Sequence, residues 1–98
     1  MELTREQFIE EITELSANGT IFNVSSSDTG NVNLYLQGCV VKASANDGIS
    51  GEVTMYKPYA HMEVTIDFAI VDKITKEGNT YTLSFVNGLS DVDIDVVQ

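Results

Sequence analysis

Tryptophan is absent from this chain, and cysteine, histidine and proline occur once each, as Cys39, His61 and Pro58. A single cysteine excludes an intramolecular disulfide, so the expected home is a reducing compartment, the cytoplasm. One cysteine and one histidine also exclude a structural zinc site made of those ligands alone. Cations are scarce: five Lys and Arg stand against fifteen Asp and Glu, a formal net charge of −10. Nucleic acids and anionic membrane surfaces are both held by Lys and Arg, so this balance counts against direct binding to either. No apolar run approaches the roughly 20 residues of a membrane helix. The opening Met1-Glu2-Leu3-Thr4-Arg5-Glu6 lacks the basic start and apolar core of a secretory signal. Asn18-Gly19-Thr20 and Asn23-Val24-Ser25 match the glycosylation acceptor pattern and, without such a signal, read as chance matches.

What is present suits one folded domain over residues 1–98. A hydrophobic fraction of 43% is enough to build a core, and Val, Ile, Thr, Tyr and Phe favour strands. The spacing predicts a helix over about residues 4–17. Thr4 and Gln7 form a capping box, Leu3 and Phe8 a hydrophobic staple, and Phe8, Ile12 and Leu15 recur on one face beside Ile9. Asn18-Gly19 ends it.

Residues 20–98 read as strands and turns. Short strands are expected over 21–25 and 52–57. Around Val32, Leu34 and Leu36 the alternation has period two, with a bulge at Gly38 before Cys39-Val40-Val41. The small polar stretch from Ala43 to Gly51 reads as a loop. Met62 to Ile74 reads as one long strand with Val64, Ile66, Phe68 and Ile70 on a common face and a bulge near Asp72. Turns are expected at 26–31, at Lys57-Pro58-Tyr59, at Glu77-Gly78-Asn79 and at Asn87-Gly88. Tyr81, Leu83 and Phe85 share one face, as do Val92, Ile94 and Val96. The expected fold class is α+β: one N-terminal helix packed on a mainly antiparallel, curved sheet of five to six strands.

Catalytic signals are weak. A Cys39–His61 pair has no surrounding motif, and the bland alternative is a cysteine packed as a small hydrophobe beside Val40 and Val41. Asp91-Val92-Asp93-Ile94-Asp95 superficially resembles the start of a calcium loop but lacks its glycine and closing glutamate. Gly48 and Gly51 have neither the spacing nor the lysine of a phosphate loop. No cofactor and no metal is expected, and the chain is read as non-enzymatic.

Two acidic rows stand out. Glu6, Glu10 and Glu14 repeat every four residues along the helix, with Glu11 beside them. Asp91, Asp93 and Asp95 project from one side of the last strand, about 6.5–7 Å apart. Solvated surface explains the first row, and charge guarding an edge strand explains the second. Taken together, ordered carboxylates suggest an acidic protein-interaction module for a basic protein partner. It could be an inhibitor that covers a nucleic-acid-binding site, in the manner of anti-restriction, anti-CRISPR or immunity proteins. The chain is expected as a monomer or homodimer. The alternatives are a structural or assembly module forming oligomers by strand-edge pairing, and a small-ligand fold with Tyr56, Tyr59, Tyr81 and Phe85 lining a pocket.

Overall fold

The computed structural model describes residues 1–26, 34–46, 49–57, 60, 62–86 and 91–97. Its elements are β1 (Glu2–Leu3), α1 (Arg5–Ala17), β2 (Ile21–Ser26), β3 (Leu34–Asn46), β4 (Ile49–Lys57), β5 (Met62–Asp67), β6 (Val71–Glu77), β7 (Thr80–Phe85) and β8 (Val92–Val97). The fold is α+β, with one N-terminal helix and one antiparallel sheet in the order β1-β6-β7-β8-β2-β3-β4-β5. Eight strands replace the expected five to six. One extra strand is β1, two residues too short for any periodic signal. The other arises because the run from Met62 to Ile74 is not continuous. A 3-10 turn at Phe68–Ile70 breaks it, and the Asp67 carboxylate caps that turn by accepting the Ala69 N–H at 2.8 Å.

That break shapes the molecule. β5 lies at one end of the sheet and β6 beside the other, with β7, β8, β2, β3 and β4 between them. On a flat sheet they would stand about 29 Å apart at roughly 4.8 Å per strand. The short link from Asp67 to Val71 reaches about 14 Å at most. The sheet must therefore curl until its ends approach. β3 makes the bend: residues up to Cys39 pair with β2, and residues from Val40 onward pair with β4. At the bend Phe22 faces Cys39 and Val24 faces Leu36, so Asn23 is opposed by both Gln37 and Gly38. This is the expected bulge. Gly38 sits at φ +67° and donates its N–H to Asn23 Oδ1 at 2.9 Å. The second expected bulge also forms, at Asp72, where the β6–β7 register shifts between Val71 and Lys73.

The helix fills the curl. Thr4 and Gln7 make the reciprocal capping box, with Thr4 Oγ1 accepting the Gln7 N–H and Gln7 Oε1 accepting the Thr4 N–H. Asn18 is the C-cap and Gly19 follows at φ +78°. The Thr20 N–H returns to the Leu15 carbonyl and the Gly19 N–H to the Ser16 carbonyl, which satisfies two end carbonyls. Phe8 and Ile12 are wholly buried. The Phe8 ring meets Phe68 and Tyr81 edge-on at 6.1 and 5.5 Å. Around them pack Phe22, Val24, Leu36, Val41, Met55 and Leu83 in one continuous core. Burying a side chain such as Phe8 contributes about 2–3 kcal/mol, so this stripe, rather than helix propensity, holds α1 in place.

The Ala43–Gly51 stretch is a correction. β3 runs on to Asn46 and β4 starts at Ile49, so the expected loop is mostly paired strand. Small residues serve close approach there: a Cβ on Gly51 would lie 1.7 Å from the Ser44 carbonyl oxygen. The Glu77-Gly78-Asn79 turn forms between β6 and β7, with Gly78 at φ +60°. The turns expected at Pro58-Tyr59 and Asn87-Gly88, and most of that at 26–31, lie outside the described residues. Among the described residues no helix is long and apolar enough to cross a membrane.

Candidate functional site

The two acidic rows meet different fates. On α1, Glu6, Glu10 and Glu14 are exposed. Glu6 lies 3.6 Å from the Arg5 guanidinium. Glu11 turns toward the sheet instead. Its Oε1 accepts from Lys76 Nζ at 2.8 Å and from the Tyr81 hydroxyl at 2.7 Å. Lys76 also stands 5.2 Å from the Tyr81 ring centre. Period two puts Lys76 on the same face of β6 as Ile74, so a lysine points inward and needs a carboxylate to meet it. The hydrogen bonds from Lys76 and then Tyr81 hold the Glu11 carboxyl below its ordinary value. The Glu11 bond raises the Lys76 ammonium, and burial raises the Tyr81 phenol, aided by the same carboxylate. Glu11 thus clamps helix to sheet, while the other three glutamates face solvent.

β8 overturns the reading of a guarded edge strand. It lies inside the sheet, bonded to β7 on one side and β2 on the other. Asp93 and Asp95 are directly opposite Thr82 and Thr80 on β7, and each threonine hydroxyl donates to the facing carboxylate. On the other flank they face Ser25 and Asn23 of β2. Asp91 is exposed just before the strand. Val92 and Ile94 pack into the core that holds Phe8 and Ile12. Asp93 and Asp95 therefore lie on the convex side of the sheet and the helix on the concave side. The rows do not merge into one surface.

No cation among the described residues pairs with Asp91, Asp93 or Asp95. Among the described residues, Arg5 pairs with Glu6, Lys73 with Glu2 at 3.8 Å and Lys76 with Glu11. Lys42 sits over the Tyr56 ring, 5.7 Å from its centre. None of these contacts reaches Asp91, Asp93 or Asp95.

The described members of the aromatic set, Tyr56, Tyr81 and Phe85, do not converge. Tyr81 is core and Phe85 packs partly against it. Tyr56 lines a separate open groove of about 980 Å³ between the C-terminal half of α1 and β3–β5, together with Thr13, Lys42, Lys57 and Met62. Tyr59 lies outside the described residues. Cys39 is wholly buried, which pushes its thiol pKa up and disfavours the reactive thiolate. Its suggested partner His61 lies outside the described residues. Among the described residues no group of three or more His, Cys, Asp or Glu is placed to hold a metal ion. No protein-family model, curated protein or solved structure matches the chain.

Proposed function

We propose that the protein is a non-enzymatic interaction module that receives a basic protein surface on the convex face of its sheet. The finer form of this reading is an inhibitor that covers the nucleic-acid-binding site of its partner. The observation that carries it is the state of Asp93 and Asp95. They stand in a regular row inside the sheet, each accepting from a neutral threonine hydroxyl, and among the described residues no cation pairs with them. Pre-positioned charge of this kind attracts a cationic partner and costs little ordering on binding. Glu6, Glu10 and Glu14 form a second acidic surface on the opposite side, and Glu11 is already engaged.

The test is capture by the immobilised protein from its host's lysate, using wild type and the D91N/D93N/D95N variant. The expected result is a basic protein retained at about 50 mM salt, lost at about 500 mM, and displaced by added DNA or RNA. The variant, equally folded, retains none. Equal retention by both proteins would defeat the reading.

A further inference from the structure

Strands β6, β7, β8, β2, β3 and β4 are each bonded on both sides. Among the described residues, β5 is bonded to β4 alone. At the other end of the sheet β1 spans only Glu2–Leu3. β5 therefore presents, among the described residues, the longer unpaired edge, a six-residue strand whose alternate residues direct backbone N–H and C=O groups outward and can template another strand.

Its side chains decide what can lie there. Glu63, Thr65 and Asp67 share one face and are exposed, while Val64 and Ile66 share the other and join the core. Glu52 on β4 is directly opposite Asp67, a like-charge pair that disfavours the bare edge. None of the ion pairs among the described residues involves Glu52, Glu63 or Asp67. A second copy of the chain is a poor occupant. Antiparallel pairing centred on Thr65, which keeps the sheet faces continuous, would set Glu63 against Asp67 twice. It would also join two molecules of formal charge −10 each.

We propose that β5 accepts an added strand from a partner protein, an extended segment with Lys or Arg at two positions four residues apart and apolar residues interleaved between them. The basic side chains span about 13 Å and meet Glu63 and Asp67, and the apolar ones continue the row of Val64 and Ile66. The charges that repel a second copy select this occupant. The surface is distinct from the aspartates of β8, since β2, β3 and β4 lie between.

The experiment titrates isotope-labelled full-length protein with the synthetic peptide SKVTVKS and with its acidic counterpart SEVTVES, following backbone amide shifts. The basic peptide is expected to shift the amides of residues 62–67 saturably. Binding should weaken about tenfold between roughly 50 and 300 mM salt. It should also weaken about fivefold to tenfold in E52Q/E63Q, and stay unchanged in D93N/D95N. The acidic peptide should not bind. Any of three results overturns the proposal: no saturable shift on β5 up to about 2 mM peptide, an equal response to the acidic peptide, or wild-type affinity in E52Q/E63Q. Binding lost in D93N/D95N but kept in E52Q/E63Q would place the basic contact on β8. The β5 proposal would then fail while the acidic-module reading stood.

Discussion

Replacing Glu11 with alanine isolates the contact that fastens the helix to the sheet. The substitution removes the acceptor shared by Lys76 Nζ and the Tyr81 hydroxyl. A buried hydrogen bond to a charged group contributes about 1.5–3 kcal/mol. Here the Glu11 and Lys76 side chains are 32% and 31% exposed, so water recovers part of the loss. A cost of about 1.5–2.5 kcal/mol follows for Glu11→Ala. Glu11→Gln should cost less, about 0.5–1 kcal/mol, because an amide oxygen still accepts from the phenol. Neighbouring Glu10→Gln should be neutral or slightly stabilising, since it relieves like charge at i, i+4. Urea melts with unchanged slope would measure this, and for Glu11→Ala the melting temperature should fall by about 6–20 °C. The acid limb gives an independent reading. The folded state lowers the Glu11 pKa from 4.5, so its contribution is present above 4.5 and is lost as pH falls through the folded value. The raised Lys76 acts in the opposite sense, contributing below 10.5 and losing that contribution as pH rises through its folded value. The difference in stability between wild type and Glu11→Gln should therefore shrink below pH 4.5. A Glu11→Ala protein as stable as wild type, or a pH-independent difference across that limb, would refute the clamp.

Gly51→Ala should cost about 2 kcal/mol or more, because its Cβ would collide with the Ser44 backbone, whereas Gly38→Ala, at positive φ with open space around it, should cost about 1 kcal/mol. Paired denaturation curves check that order, and equal costs would contradict the close approach of β3 and β4. Cys39 should react with a thiol reagent at least about 100-fold more slowly in the native than in the unfolded protein, because the wholly buried thiol is reached only by opening.

Local features were legible in the sequence and long-range ones were not. The helix announced both its ends through Thr4, Gln7 and Asn18-Gly19, signals carried within a few residues. Gly38 and Asp72 marked bulges because the alternation slipped phase there. The corner at Phe68–Ile70 escaped because alternation runs through Val64, Ile66 and Phe68 without interruption, and period two cannot report one helical turn. Composition alone makes Ala43 to Gly51 a loop, yet those small residues permit the approach of Gly51 to Ser44. Strand order was out of reach altogether: the pattern of β8 is the same whether it lies at an edge or between β7 and β2. The Glu11–Lys76 contact joins residues 65 positions apart. Only the inward parity of Lys76 hinted that a carboxylate had to meet it.

The position of β8 changes what its charges mean. Aspartate is a poor strand residue, and an edge would have explained it as protection against pairing. A strand already paired on both sides needs no such protection. The threonine hydroxyls account for one oxygen acceptor on each of Asp93 and Asp95, and an asparagine side chain still supplies that acceptor, as a neutral and weaker one. The sheet therefore needs an acceptor at these positions more than it needs the charge. D93N/D95N should accordingly be as stable as wild type, or more stable by a few tenths of a kcal/mol through relief of repulsion in a chain of net charge −10. A loss above about 1 kcal/mol in the same urea melts would show that the carboxylate charge serves the sheet itself, and would take away the reason for assigning it to a partner.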